Sequence, residues 1–266
     1  MPTIPAEKRL SQGKLFLLIT LCGWCLYFLY LWTYALFINE SSGVSTTQST
    51  LWADWAAHFT MGSRMAYGAQ LIPHTSPLLI TAPFQYPFIP NLLSAILIRL
   101  GAPFFASFII PSAVATILLV FLFVWLGMQL TKSYKGAALG LTLFLLNGGL
   151  GFVWFVSDVT TSNDWLATLR TPMRSYTKLP EYGIEWMSII TSMIVPQRAF
   201  TIGFPLGLAI VSLTYHNFFQ KKSASALVTI GIGLMTGMLP LVHTHTAIAI
   251  ACILLFWGVG GLLDAT

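Results

Sequence analysis

Three ionisable side chains lie close together in the segment 50–68, TLWADWAAHFTMGSRMAYG, which follows a long apolar stretch and a polar linker. On an α-helix, Asp54 and His58 are four residues apart and share a face, whereas Arg64 lies roughly 80° around the helix axis. A carboxylate at a membrane surface can act as a general base toward a hydroxyl group or can help to hold a divalent cation. The segment therefore predicts Asp54 as a catalytic acid–base residue, with His58 and Arg64 as substrate-binding neighbours.

The same segment also has a simpler interpretation. Trp52 and Trp55 flank Asp54, which is typical of a helix that lies at the membrane interface. In that case Asp54 is a solvated surface acid without a chemical role. If the site is functional, His58 could share a metal ion with Asp54, orient the acid, or bind phosphate when it is protonated.

A second candidate site is the stretch IVPQRAF, in which Gln197 and Arg198 precede a long apolar run. An arginine at the entrance of a membrane span is costly unless its charge is paired. Arg198 is either an interfacial arginine that reaches water or a clamp on a phosphate group, because a guanidinium matches two phosphate oxygens at once. Gln197 could add a hydrogen bond to the same group.

A third candidate is the pair His243 and His245, which interrupts the apolar run LPLVHTHTAIAI. On an extended segment an H-x-H pair can bind a metal ion, whereas on a helix the two side chains would point roughly 200° apart. No Asp or Glu lies within ten residues of the pair. Because ionisable residues inside a membrane are functional candidates, the pair either binds substrate or consists of hydrogen-bonded histidines at a helix end.

The composition defines the class of protein that carries these residues. Hydrophobic residues make up 56% of the 266 residues and charged residues only 8%, with a mean hydropathy of +0.78, whereas soluble domains carry about 25% charged residues. The formal net charge of +5 comes from lysines and arginines at the ends of apolar runs. This pattern marks cytoplasmic loops and gives no reason to expect a nucleic-acid partner.

The apolar runs predict an all-α, polytopic transmembrane helical bundle of about seven spans. We expect a single domain over residues 1–266, in which the long first extracytoplasmic loop contains a juxtamembrane helix. The predicted segments are a first span at 15–38, the first outer loop at 39–85, spans within 86–157, a second polar loop at 158–195 and C-terminal spans within 196–266. The run 86–100 is short for a span, and the glycines of NGGLG permit close helix packing or a local break.

The basic N-terminus places the start of the first span in the cytoplasm, and therefore the loop 39–85 outside. Two lysine pairs should also be cytoplasmic: Lys132 with Lys135, and Lys221 with Lys222. The first pair meets this rule if the segment 86–131 crosses the membrane an odd number of times. The alternatives are an extra short span at 184–196 or a breach of the charge rule.

The order of these features resembles the membrane-embedded GT-C glycosyltransferases. In those enzymes the first outer loop carries the catalytic aspartate, often in a D-x-x-x-H-like pattern, with a tyrosine and a proline before the second span. Asp54, His58 and Tyr86-Pro87 match this pattern, and the stretches LFLLNGGLGFVWF and VPQRAFTIGFPLGL resemble prokaryotic members of the group. The resemblance covers about residues 15–250.

The resemblance implies a polyprenyl-phosphate-sugar glycosyltransferase, similar to the dolichyl- or polyprenyl-phosphate mannosyltransferases, in the plasma membrane. Asp54 would take the acceptor proton or orient a cation, Mg²⁺ or Mn²⁺, that His58 could help to hold. Arg198 would balance the leaving phosphate, with His58 and His243 in secondary roles.

Members of this group usually have more spans. We therefore expect this chain to be an N-terminal fragment or to work with a partner subunit. The alternatives are a transporter or flippase, whose polar residues would concentrate near the middle of the membrane, and a non-catalytic membrane subunit.

Overall fold

The computed structural model describes residues 11–39, 43–46, 49–220 and 225–263, and these are mostly helical. The α-helices in these ranges are α1 (Gln12–Tyr34), α2 (Ser49–Tyr67), α3 (Ile89–Arg99), α4 (Phe104–Thr131), α5 (Tyr134–Leu145), α6 (Phe152–Thr161), α7 (Trp165–Arg170), α8 (Arg198–Thr214), α9 (Ala226–Val242) and α10 (Thr244–Leu263). Two short antiparallel β-hairpins lie between helices. Strand β1 (Leu36–Asn39) pairs with β2 (Gly43–Thr46) between α1 and α2, and β3 (Lys178–Leu179) pairs with β4 (Ile184–Glu185) between α7 and α8. Two π-helical turns cover Ile189–Ile194 and Tyr215–Gln220.

Several of the helices identify the chain as a helical membrane protein. Within the described residues, three helices are long and apolar enough to cross a membrane: Gln12–Tyr34, Phe104–Thr131 and Arg198–Gln220. The pair Tyr134–Leu145 and Gly149–Thr161 adds a fourth only if its two halves, bent by 89°, form one span. Helices α3 and α9 and most of α10 are apolar but shorter. The count of about seven spans therefore stays a prediction.

The directions of α1, α4 and α5 define two ends of the bundle. A Cβ atom on Gly13, at the start of α1, would lie 3.5 Å from the Cβ atom of Tyr134, the first residue of α5. Trp32, near the end of α1, donates a 3.1 Å hydrogen bond to Thr116 in the first half of α4. Helices α1 and α5 therefore start at the same end, and α4 runs antiparallel to them.

The start of α1 and the α4–α5 connection bring lysines together at one end of the bundle. We call the end that carries Lys14, Lys132 and Lys135 the basic end, and the opposite end, where α2 and α3 pack, the loop end. Lys221 and Lys222, which were expected on the same side, lie outside the described residues.

Helix α3 occupies most of the run 86–100, which is short for a span. It has 11 residues, which rise about 16 Å, whereas the hydrocarbon core of a bilayer is about 30 Å thick. Arg99, its last residue, donates hydrogen bonds of 2.9–3.0 Å to the carbonyl oxygens of Met65, Ala66 and Gly68 at the end of α2. Helices α2 and α3 therefore pair at the loop end. Between residues 86 and 131 only α4 traverses the bundle, which returns the chain to the basic end, where Lys132 and Lys135 lie.

Helix α8 follows α4 in the same direction. At the loop end Arg198 donates a 3.3 Å hydrogen bond to Ser112 of α4, and at the basic end Gln220 donates to the carbonyl oxygen of Gln129. Helix α9 then leads back to the loop end, where His243 meets α8, and α10 runs along α8 again. This packing places the start of α8 and the α9–α10 joint beside α2 and α3.

The first predicted span and one apolar run within the predicted span region 86–157 have different bounds in the structure. The first was expected at 15–38, but α1 ends at Tyr34 because residues 36–39 pair with β2 as a strand. The continuous apolar run 136–157 is broken between α5 and α6, where Gly149 has a φ of +68°. A Cβ atom on Gly149 would meet the Trp186 ring at 2.8 Å, so this glycine permits both the break and the close contact.

The second polar loop, 158–195, contains local structure of its own. It holds α7, the β3–β4 hairpin and a 3.0 Å salt bridge between Arg174 and Asp158, the one ion pair within the described ranges. Asn147 fastens this loop to the end of α5, because its carbonyl oxygen accepts from the Trp186 indole and its side chain accepts from the Ile189 amide. The loop is thereby anchored at the loop end.

Candidate functional site

Helix α2 presents the predicted residues of the first loop on one face. Asp54, Ala57, His58 and Met61 have the i, i+3, i+4, i+7 spacing of a single helix face, and all four line a cavity. The other face is packed in the core, where Trp55 is 1% exposed and its indole donates a 2.9 Å hydrogen bond to a backbone carbonyl oxygen just before α8. The amphipathic sequence of α2 therefore fixes which side chains face the cavity.

The cavity at the loop end has a volume of about 410 Å³. It lies between α2, the proline-rich segment before α3, the start of α8 and the α9–α10 joint. Its polar lining consists of Asp54, His58, Tyr86, Gln197, Thr244 and the two histidines His243 and His245. Five of the seven predicted site residues thus meet in one cavity, together with Tyr86 and Pro87 of the motif that carried the GT-C resemblance.

Asp54 is available for chemistry in this cavity. Its side chain is exposed, and it has no hydrogen bond or ion pair with any residue that the structure describes. Burial raises the pKa of the Tyr86 phenol, the nearby Asp54 carboxylate raises it further, and the Arg198 guanidinium lowers it. Tyr86 therefore stays a neutral hydrogen-bonding group beside the carboxylate.

His58 is buried and hydrogen-bonded. It is 3% exposed, and its Nδ1 atom lies 3.0 Å from the Oδ1 atom of Asn91 on α3. Burial and, to a smaller extent, the positive charge of Arg198 lower the pKa of His58, and the hydrogen bond to Asn91 raises it, with a net result of about 4. His58 is therefore neutral at pH 7, which favours a hydrogen-bonding or orienting role over phosphate binding as a cation.

Arg198 does not line the cavity but lies directly behind its wall. The side chain is fully buried, and its guanidinium donates to three neutral side chains: Asn91 at 3.0 Å, Ser94 at 2.7 Å and Ser112 at 3.3 Å. It also lies over the Phe108 ring, with Cζ 4.7 Å from the ring centre. Most of its hydrogen-bonding capacity is used within the protein.

The charge of Arg198 nevertheless has no carboxylate partner among the described residues. A buried positive charge without a counter-ion is strongly felt nearby, because the protein interior screens it weakly. Gln197 and Ala199, its chain neighbours, belong to the cavity wall. The cavity therefore lies next to an unbalanced positive charge, which favours an anionic ligand.

Arg64 lies elsewhere. It is exposed on the last turn of α2, and its guanidinium rests against Gly68, the residue after the helix. The structure does not bring it to the cavity with Asp54 and His58.

His243 and His245 lie closer together than a continuous helix would allow. His243 is extended (φ −158°, ψ 106°) and ends α9, so the two rings lie 5.5 Å apart, whereas a helix would point them in different directions. The Nδ1 atom of His243 accepts a 3.3 Å hydrogen bond from the backbone N–H of Thr246 and lies 2.7 Å from the Thr246 hydroxyl oxygen, so His243 caps the start of α10. A Cβ atom on Gly203 of α8 would collide with His243, so this glycine permits the close approach.

The described residues contain no group of three or more His, Cys, Asp or Glu side chains that could hold a metal ion. Asp54 and His58 are the two predicted ligands that share a helix face. Mg²⁺ is often held by one or two carboxylates together with substrate phosphates. A Mg²⁺ or Mn²⁺ ion at Asp54 would therefore need oxygen atoms from the substrate to complete its coordination.

An apolar groove adjoins the polar cavity. It has a volume of about 360 Å³ and lies between α8 and α10. Its lining includes Phe200, Phe204, Leu208, Ala249 and Ile253. His243 and His245 line both the groove and the cavity, so the two spaces meet at these histidines.

The residues that hold Arg198 were not among the predicted site residues. Asn91, Ser94 and Ser112 are fully buried, and all three donate or accept hydrogen bonds within the bundle. Asn91 interrupts the apolar run YPFIPNLLSAILIRLG, and Ser94 follows it by one helical turn. Such a polar pair in an apolar helix is the signal that could have indicated a buried partner.

Comparison of the chain with protein-family models, with curated proteins and with solved structures gives no match. The GT-C resemblance therefore rests on the motifs alone. The fold and the site define a helical membrane protein with a polar cavity at one end and an apolar groove that shares His243 and His245 with it.

Proposed function

We propose that the protein is a GT-C-type membrane glycosyltransferase that moves a sugar from a polyprenyl-phosphate-linked donor to an acceptor on the extracytoplasmic face of the cell membrane. The observation that carries this proposal is the polar cavity that shares His243 and His245 with an apolar groove. A lipid-phosphate sugar has the same two-part chemistry, a polar head and a long apolar chain joined at a phosphate. The two spaces would hold these two parts.

Asp54 is the catalytic base in this proposal. As the acceptor hydroxyl oxygen attacks the anomeric carbon of the sugar, the Asp54 carboxylate takes the hydroxyl proton. The bond between the anomeric carbon and the phosphate oxygen breaks, and the lipid phosphate leaves with the electron pair. Gln197 and His58 would hold the sugar hydroxyl groups on either side.

The leaving phosphate gains negative charge, and the wall near His243 suits that charge. Arg198 supplies an unbalanced positive charge behind the wall. Helix α10 begins at Thr244 in the same wall, and the N-terminus of a helix favours an anion. These groups stabilise charge that develops in the transition state, which is where such interactions accelerate a reaction.

We place the basic end in the cytoplasm, because lysines and arginines concentrate on that side of membrane proteins. Six segments would then cross the membrane: α1, α4, the α5–α6 pair, α8, α9 and α10. This is one fewer than the sequence suggested, because α3 stays at the loop end. The cavity then faces the extracytoplasmic side.

Cysteine labelling in intact cells tests this topology. After replacement of the native cysteines by alanine, a Glu181→Cys variant should react with a membrane-impermeant maleimide, since Glu181 is exposed at the loop end. A Lys135→Cys variant should react only after the cells are permeabilised, since Lys135 is exposed at the basic end. Labelling of both positions in intact cells would refute the six-segment arrangement.

A transfer assay tests the proposed activity. The purified protein in nanodiscs is incubated with a panel of polyprenyl-phosphate sugars and, separately, with the corresponding nucleotide sugars. We expect sugar transfer from a lipid-linked donor and none from the nucleotide donors. If lipid-linked sugars move across the bilayer of proteoliposomes without transfer, the protein is a transporter instead.

Blocking the groove should weaken binding of long-chain donors. Ala249 is exposed and lines the groove, so in an Ala249→Trp variant the indole would fill part of the space for the lipid chain. Loss of one to two kcal/mol of apolar contact corresponds to a KM about 10-fold higher. The KM for a short-chain, water-soluble donor should change little.

Ile248→Trp is the matched control, because Ile248 is 59% exposed on the adjacent position and does not line the groove. An equal rise in KM for both variants, or for both chain lengths, would show that the groove does not hold the lipid.

A further inference from the structure

Asn91 connects Arg198 to His58. Its Oδ1 atom accepts a 3.0 Å hydrogen bond from the Arg198 guanidinium and lies 3.0 Å from the Nδ1 atom of His58. Its amide nitrogen faces the sulfur of Met61 at 3.6 Å. The Asn91 side chain is fully buried, so this arrangement is closed to solvent.

The Arg198 charge fixes which way the Asn91 amide points. A guanidinium can only donate hydrogen bonds, so the atom of Asn91 that faces it must be the oxygen. The Nδ1 atom of His58 faces the same oxygen and must therefore carry a proton. A neutral imidazole carries one N–H, which leaves a lone pair on Nε2.

We propose that Asn91 is a positioning residue that holds His58 in the Nδ1–H form, so that Nε2 offers a hydrogen-bond acceptor to a hydroxyl group of the sugar. The Nε2 atom makes no hydrogen bond to any described residue, and the ring lines the cavity beside Asp54. The choice of a sugar hydroxyl as the ligand rests on the function proposed above. The proton position on His58 does not, and it can be measured without substrate.

His243 carries its proton on the other nitrogen. Its Nδ1 atom accepts from the Thr246 backbone N–H, so the proton of the neutral ring lies on Nε2. The same cavity is therefore lined by one histidine that accepts at Nε2, His58, and one that donates there, His243. A sugar hydroxyl suits the first, and a phosphate oxygen suits the second.

Burial and the charge of Arg198 keep His58 neutral, and the hydrogen bond to Asn91 acts in the opposite direction. Arg198 on α8 disfavours a second positive charge, and Tyr86 packs against the ring edge-to-face at 6.1 Å. Asp54 lies on the same helix face and is exposed, and the joint between α9 and α10 contributes the two histidines of the cavity wall. Helix α3 faces His58 with Asn91, which has no charge.

Nitrogen NMR of the substrate-free protein tests the proton position directly. With histidines labelled by ¹⁵N and the His58 signal assigned from a His58→Gln variant, we expect Nδ1 protonated and Nε2 unprotonated. An Asn91→Leu variant removes the acceptor, so the proton should move at least in part to Nε2. In the control Ser94→Ala, which removes another partner of Arg198 but leaves the acceptor, the signal should stay as in wild type. A proton on Nε2 in the wild type, or no change in Asn91→Leu, would overturn the proposal.

The pH profile of transfer tests the consequence for binding. In an Asn91→Asp variant the carboxylate raises the pKa of His58, so Nε2 becomes protonated at a higher pH and can no longer accept. The acid limb of kcat/KM should therefore move up by about one pH unit or more, whereas in Ser94→Ala it should not move. A uniform loss of activity at every pH in Asn91→Asp would mean that Asn91 is only structural. If the NMR result is as expected but no donor is turned over, the proposed function fails while the role of Asn91 stands.

Discussion

An Asp54→Asn variant is expected to lose about 100- to 10,000-fold in the rate of sugar transfer, the range typical for loss of a general base. An amide cannot take the proton of the acceptor hydroxyl at neutral pH. The variant should fold normally, because Asp54 is exposed and makes no hydrogen bond or ion pair within the described part of the chain. The measurement is kcat with saturating donor, beside the unfolding temperature in the same detergent.

Asp164→Asn is the matched control for this variant. Asp164 lies in the second polar loop and caps α7 through the backbone N–H of Ala167, a role that asparagine fills about as well. Its transfer rate should equal that of the wild type. A rate for Asp54→Asn equal to the wild type would remove Asp54 from the mechanism.

An Arg198→Ala variant is expected to lower the free energy of unfolding by about 3 kcal/mol or more. Three buried side chains, Asn91, Ser94 and Ser112, would lose a donor from the guanidinium. Each buried acceptor that is left without a donor costs about 1–3 kcal/mol. The cavity that the missing side chain leaves adds to this cost. The measurement is thermal or denaturant unfolding in detergent.

Arg64→Ala is the control for stability, because Arg64 is exposed and surface substitutions usually change the unfolding free energy by no more than about 0.5 kcal/mol. If the unfolding free energy of Arg198→Ala equals that of the wild type, the hydrogen bonds from Arg198 to Asn91, Ser94 and Ser112 do not stabilise the fold.

Arg198→Lys and Arg198→Met separate the charge of Arg198 from its packing. Lysine keeps the charge but offers a single ammonium group in place of the planar guanidinium, and methionine keeps much of the volume without the charge. If the positive charge stabilises the leaving phosphate, the transfer rate should fall further in Arg198→Met than in Arg198→Lys at comparable stability. Equal rates in the two variants would restrict Arg198 to a structural role.

Helix α4, which crosses the whole bundle, could be predicted because its ends are marked in the sequence. It lies within the stretch 86–157, where spans were expected, and extends from Phe104 to Thr131, since Pro103 precedes it and Lys132 ends it with a φ of +54°. The apolar run gave its length, and no tertiary contact was needed to place either end.

The position of α3 at the loop end could not be predicted in the same way. Apolar composition indicates that α3 is buried, but the position of α3 at the loop end depends on the bonds from Arg99 to the last turn of α2. The glycines of NGGLG indicated a possible break after α5, but they did not indicate that Trp186, far along the chain, packs against Gly149 there. These are contacts between distant residues, which no local pattern reveals.

The candidate site could be predicted in part from its ionisable residues. Asp54, His58, Gln197 and the two histidines stand out because polar groups are rare in apolar runs, and the structure brings all five to one cavity. Whether a residue faces the cavity or stands behind its wall, as Arg198 does, depends on the rotation and packing of three helices. Small polar residues such as Asn91 and Ser94 gave a weaker signal, because they often bond within their own helix.

The most direct test is the structure of the Asp54→Asn variant bound to an intact polyprenyl-phosphate sugar, determined by electron cryomicroscopy in nanodiscs. We predict the sugar beside residue 54 and His58, the phosphate at His243, and the lipid chain between α8 and α10. A donor whose head group lies outside the loop-end cavity, or whose chain follows another face of the bundle, would contradict the proposed glycosyltransferase site.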